Sequence, residues 1–199
     1  MLFDNSGVPD SYNLVPALQS FRLPYKILID SDSDKDRYWE ARKKFDELFK
    51  VLAGAWNWFI EESRGDYILS LEHDVLPQEG TYKKLIEGLN KHPEAGAMAC
   101  PAKTRHKAHK NVTMIRVERT KGVWGKFYFA ESGKELFEPC GWSSLSCILF
   151  RKELIEDVVL DGTATPEKIL AHHIWAKQRQ TWVRWDVPVK HYLSEGICI

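Results

Sequence analysis

Apolar residues fall along this chain in two distinct rhythms. From Asp36 to about Ser63, Tyr38, Ala41, Phe45, Leu48, Leu52, Ala55, Trp56 and Phe59 recur at steps of three and four, which predicts one long amphipathic helix with an aromatic core face. Gly54 inside it marks either a break or a close helix contact. Tyr67-Ile68-Leu69-Ser70-Leu71 is apolar without alternation, the signature of a strand covered on both faces. Gly96-Ala97-Met98-Ala99-Cys100 and Leu145-Ser146-Cys147-Ile148-Leu149-Phe150 read the same way. Helical spacing returns from Thr81 to about Lys91, with Leu85, Ile86 and Leu89 inward. A third helix opens at Thr165-Pro166-Glu167, with threonine as N-cap and proline in the first turn, and runs to about Gln178.

Shorter segments complete the outline. Met1 to Gly7 reads as a strand end entering a polar turn, and Tyr25 to Ile29 as a strand closing on the acidic stretch Asp30–Asp36, where Ser33 and Asp34 are N-cap candidates. Asn111–Glu118 and Val123–Ala130 suggest a hairpin, and Phe137–Trp142 a loop. Trp182–Trp185 and Val187–His191 suggest two final strands. The expected architecture is a single α/β domain over residues 1–199.

Composition narrows the function more by exclusion than by assertion. Lys+Arg and Asp+Glu both number 28, so the net charge is zero and no global field draws the chain to nucleic acid or acidic lipid. The basic cluster Lys103, Arg105, His106, Lys107, His109 and Lys110 is too local for a nucleic-acid footprint and reads as a solvated loop or an anion contact. Eight tryptophans fit a carbohydrate-handling protein. Cys100, Cys140, Cys147 and Cys198 have no C-x-x-C spacing, so free thiols in a reducing compartment are expected. The chain start lacks a secretory pattern and the apolar stretch Val51–Ile60 is too short to span a bilayer, so a cytoplasmic protein without a transmembrane segment is expected.

Chemistry concentrates where a strand ends in acids. In an open α/β sheet, ligands bind beyond the carboxyl ends of the strands. Glu72 and Asp74 stand there two residues apart, so extended backbone can project both carboxylates the same way, with His73 between them. Two such carboxylates suit Mg²⁺ or Mn²⁺. As a bare pattern, two acids at a strand end read first as a solvated turn.

The block from Gly65 to Pro77, GDYILSLEHDVLP, resembles the D-x-D region of family-2-like GT-A glycosyltransferases. The resemblance implies a GT-A-like mixed, mostly parallel sheet flanked by helices, with residues 1–100 as the nucleotide-sugar half and 101–199 as the acceptor-side half. It implies a metal-dependent, hexosyltransferase-like enzyme moving a sugar from a nucleotide-diphosphate donor to a glycan, protein or small-molecule acceptor, helped by Mn²⁺ or Mg²⁺. Carried over, Asp74 binds the metal and Glu72 contacts the ribose or the metal, with Glu here in place of the usual Asp. His191, in the closing V-x-V-x-H segment, completes the metal site in some members, and Gly141 and Trp142 belong to the acceptor-side loop.

Two alignments place the base contacts. One puts Asp4, in Leu2-Phe3-Asp4-Asn5-Ser6, on the second strand of the fold and leaves the first strand missing. The other puts Tyr25–Asp34 there, making Asp30 and Asp32 the contacts and restoring a first strand at Met1–Val8. The first is favoured because a long helix leads straight from Asp36 to the Gly65 strand. For the general base, Glu167 is the acid nearest the start of the last helix, with His172 and His173 following. A first-turn acid stabilised by the helix dipole is the alternative for Glu167. Two other functions compete: a nucleotidyltransferase on a related fold, and a truncated or degenerate domain acting as a binding module.

Overall fold

The computed structural model describes residues 2–3, 45–72, 75–102 and 135–191. Eight strands and three helices lie within them: β1 (Leu2–Phe3), α1 (Phe45–Glu62), β2 (Tyr67–Glu72), β3 (Val75–Leu76), α2 (Thr81–Lys91), β4 (Ala95–Ala99), β5 (Phe137–Cys140), β6 (Cys147–Arg151), α3 (Pro166–Ala176), β7 (Gln180–Arg184) and β8 (Lys190–His191). Six strands form one sheet in the order β1-β2-β6-β4-β7-β5, and β3 pairs separately with β8. In the main sheet β1, β2, β4 and β7 run one way, while β6 and β5 run against them. The mixed sheet flanked by helices is the architecture that the resemblance implies.

Burial explains the uninterrupted apolar strands. All five residues of β4 are buried, as are Cys147 to Phe150 in β6. Alternate side chains enter two separate cores, one on each face. On the first face Leu71, Met98 and Leu149 meet Leu85 and Leu89 of α2. On the second, Ile68, Ala97, Ile148, Phe150 and Val183 meet Trp56 and Ile60 of α1 and Leu170 and Ile174 of α3. Trp56 is 1% exposed and meets the Phe150 ring edge-on, centroids 5.8 Å apart. With no face left to water, a strand has no reason to alternate.

Several local expectations are revised. Phe137–Cys140 is a strand, β5, at the edge of the sheet, and Pro139 is tolerated there because an edge residue need not donate to a neighbour. Gly54 is exposed with nothing within 4 Å of a would-be Cβ, so it is neither a break nor a close contact in the continuous helix. Thr165 occupies the α3 N-cap but makes no side-chain capping bond, leaving Pro166 as the start signal. Strand Tyr25–Ile29, the N-cap candidates Ser33 and Asp34, the basic cluster, the hairpin at 111–130 and Cys198 lie outside the described residues. Cys100, Cys140 and Cys147 are free and buried, and burial raises the Cys100 and Cys140 thiols well above the usual range. No described helix is long and apolar enough to cross a membrane.

Gly96 shows how closely α3 lies on the sheet. A Cβ there would collide with the Ile174 side chain and come within 3.0 Å of Leu154 Cδ1. Gly96→Ala is therefore expected to destabilise the fold by about 1–3 kcal/mol in denaturant titration, as overpacked core positions do. An unchanged midpoint would show that the α3 interface has slack.

Candidate active site

The parallel strands converge on one edge. β1 pairs with β2 so that Phe3 lies across from Glu72, at the carboxyl end of both strands. Glu72 is the last residue of β2 and half-buried, and its backbone N–H donates to Ser146 O at 3.0 Å. That bond ties the end of the loop between β5 and β6 to this edge. Gly141 and Trp142, both half-buried, follow Cys140, which lies across from Thr181 near the start of β7. Within the loop, Ser144 Oγ and Ser146 Oγ share a hydrogen bond of 2.8 Å, and Ser70 Oγ donates to Leu145 O at 2.7 Å. Ser70, Ser144 and Ser146 thus fix residues 144–146 of the loop against the end of β2.

The closing segment arrives from the other direction. Val189 N–H donates to Pro101 O at 3.0 Å, and Val189 bridges Ala102 in parallel, just past the end of β4. β8 then pairs antiparallel with β3, with Val75 opposite His191 and Leu76 opposite Lys190. Position 191 thus sits in register with the residue one peptide bond after Asp74. Asp4, Asp30, Asp32, His73 and Asp74 and the side chain of His191 lie outside the described residues. Among the described residues, no three His, Cys, Asp or Glu side chains gather into a group able to hold a metal ion. Of the expected donors Glu72, Asp74 and His191, only the Glu72 side chain is described. It is an oxygen donor at the carboxyl end of β2, and carboxylate oxygens suit Mn²⁺ or Mg²⁺, while an added imidazole favours the transition metal Mn²⁺ over Mg²⁺.

The candidate bases stand on α3. β7 follows α3 and enters the sheet with Gln180 at the level of Ala95, the amino end of the parallel strands. The carboxyl end of α3 is therefore at that edge, and its first turn, with half-buried Glu167, points back toward the carboxyl edge. His172 is exposed and lies about 140° around the helix from Glu167, so the two do not share a face. His173 is engaged elsewhere: its Nε2 is 2.9 Å from Asp157 Oδ1, which also accepts from Lys177. Those bonds, Lys177 first, hold the Asp157 carboxyl well below the ordinary range.

A buried guanidinium, not singled out by the sequence, organises the ground behind this edge. The Arg184 side chain, 6% exposed, lies at the end of β7. Its Nε donates to Asp186 Oδ1 at 2.7 Å, and its Nη1 to Lys84 O at 2.7 Å and Glu87 Oε2 at 3.1 Å. Its plane covers the Phe137 ring at 5.0 Å. The only sequence signal is an Arg-x-Asp step at a strand end, because Glu87 and Lys84 lie about a hundred positions earlier. Of the tryptophans, Trp56 is core, Trp185 donates to Glu138 at 2.9 Å, and Trp182 stacks on His92, centroids 4.4 Å apart.

Residues 17–159 match the family model described as glycosyl transferase family 2, and the chain belongs to that family. Membership supports a glycosyltransferase activity, with a nucleotide-sugar donor and an acceptor. Among solved structures, the chain is similar to one titled "Crystal Structure of A197 from STIV". The likeness covers 93% of this chain and 81% of the other, with a TM-score of 0.56 and 12% sequence identity, and it bears on the fold alone. A comparison with curated protein sequences gives no match.

Asp186 provides a pH test of this edge. The Arg184 hydrogen bond, then that of Lys84, holds its carboxyl below the usual range. A depressed carboxyl stabilises the fold at pH above its unfolded value, about 4, and that contribution fades as pH falls through the folded value. Asp186→Asn is therefore expected to cost stability at neutral pH and progressively less toward about pH 3, read by urea titration at each pH. A cost that holds constant or grows on acidification would contradict the pairing.

Proposed function

We propose that the chain transfers a sugar from a nucleoside-diphosphate donor, with Mn²⁺ or Mg²⁺ held by Asp74, Glu72 and His191. The observation that carries this reading is the β3–β8 pairing, which sets position 191 opposite Val75 at the carboxyl edge where Glu72 ends β2. A bound divalent cation would neutralise charge building up on the leaving diphosphate.

The chain's own residues supply the rest. Asp30 and Asp32 are the better candidates for the base and ribose contacts, because the family match takes in residues 25–34 and leaves Leu2–Ser6 outside it. Asp4, the residue after β1 in the sequence, remains the second candidate. Gly141 and Trp142 are the candidates for the acceptor side, at the start of the loop whose last residue, Ser146, bonds to Glu72. Glu167, on the α3 turn nearest the carboxyl edge, is the preferred base for the acceptor hydroxyl. His172, exposed and on another face, is the lesser candidate.

A thermal-shift series with UDP-, GDP- and CDP-sugars, with and without Mn²⁺, tests this reading. One nucleotide class is expected to raise the melting temperature of the wild type only when Mn²⁺ is present, and Asp74→Ala to abolish the shift. An equal response from Asp74→Ala sinks the metal assignment. A Mn²⁺-dependent shift with no sugar transfer to any acceptor or to water favours a binding module over an enzyme.

A further inference from the structure

We infer that Arg184 is the positioning residue for the β3–β8 pair, and through it for the metal edge; this rests on the reading of that edge given above. The pair is two residues long on each side, and so short a ladder is marginal by itself. What continues from each strand is joined by one side chain. Beyond β3 the chain turns at Gly80, φ 78°, into α2, whose Lys84 O and Glu87 carboxylate accept from Arg184 Nη1. Ahead of β8 stands Asp186, whose two oxygens accept from Nε at 2.7 Å and Nη2 at 3.4 Å. Lys84 Nζ closes the circuit on Asp186 Oδ2 at 3.2 Å.

The guanidinium therefore spans both arms of the pair, and its burial makes the span rigid. Its planar fork suits this role, since it presents several donors in one rigid plane, whereas the three donors of an ammonium rotate on a flexible stem. From Asp186 the chain has only Val187, Pro188 and Val189 before β8, and both valines are buried on the α2 side of the sheet. Little freedom remains between the clamp and position 191. A carboxylate or imidazole that binds metal loses affinity when the groups orienting it are removed, typically by tenfold or more.

The alternative is that Arg184 merely stabilises the fold, and the experiment separates the two. Mn²⁺ alone is titrated by calorimetry into wild type, Arg184→Gln and Gly96→Ala, with backbone hydrogen exchange measured on each. Gly96 lies under α3 on the opposite face, so its variant reports what lost stability alone does. Arg184→Gln is expected to weaken Mn²⁺ binding about tenfold or more. It should also speed exchange at Val75, Leu76 and Val189–His191 while β2, β4 and β6 stay protected. Gly96→Ala should leave Mn²⁺ affinity unchanged.

Should Arg184→Gln fail to fold, Asp186→Asn cuts one arm while Glu87 still pairs the guanidinium, and it is expected to give the same pattern at smaller amplitude. Unchanged exchange at the pair, or an equal Mn²⁺ loss in Gly96→Ala, overturns the positioning role. No Mn²⁺ binding by the wild type overturns the metal reading itself, and with it the functional half of this inference.

Discussion

Everything at the candidate site depends on β6 lying antiparallel between β2 and β4. Its register, Leu71 across from Cys147 and Ala99 across from Ile148, brings the carboxyl ends of β2 and β4 to one level. The same strand begins where the Gly141–Ser146 loop ends, so Glu72 and the loop are joined by one backbone hydrogen bond. A register shift of one residue would turn every side chain of β6 to the wrong core. The two separate cores, one under α2 and one under α1 and α3, make that shift prohibitive.

The edge so defined is closed by a weaker device. The pairing of β3 with β8 spans two residues, and the bond from Val189 to Pro101 adds a third point of attachment. Arg184 ties the chain on either side of that pairing to a single buried charge whose partners are two carboxylates and a carbonyl. Desolvation of a buried charge offsets much of its attraction to its partners, whereas removal of one partner leaves the charge uncompensated and is strongly destabilising. Metal coordination in general requires ligands held in a single defined arrangement.

How much of this was legible in the sequence follows from the reach of each interaction. The central strands and the three described α-helices are written in local patterns, because burial on both faces or on one stripe leaves a continuous or a periodic trace. β5 was not, because Phe-Glu-Pro-Cys carries a proline that argues against a strand anywhere except at an edge, and being at the edge is a property of the whole sheet. The strand character of Val75–Leu76 depends on a partner more than a hundred residues away. The acids at the end of β2 were legible as a motif, while the Arg184 cluster was not: its members come from α2, β7 and the turn after it. Motifs record chemistry that neighbours in sequence perform together, and clamps are assembled by the fold.

The central claim is that metal binds at the carboxyl edge where β2 ends and β8 returns. Paramagnetic broadening by Mn²⁺ in amide NMR spectra tests it most directly. Sub-stoichiometric Mn²⁺ should selectively erase the amide signals of Leu71–Leu76 and Val189–His191, sparing those of α3 beyond its first turn and the amino ends of β2 and β4. Broadening centred anywhere else, or spread evenly over the surface, would contradict the account.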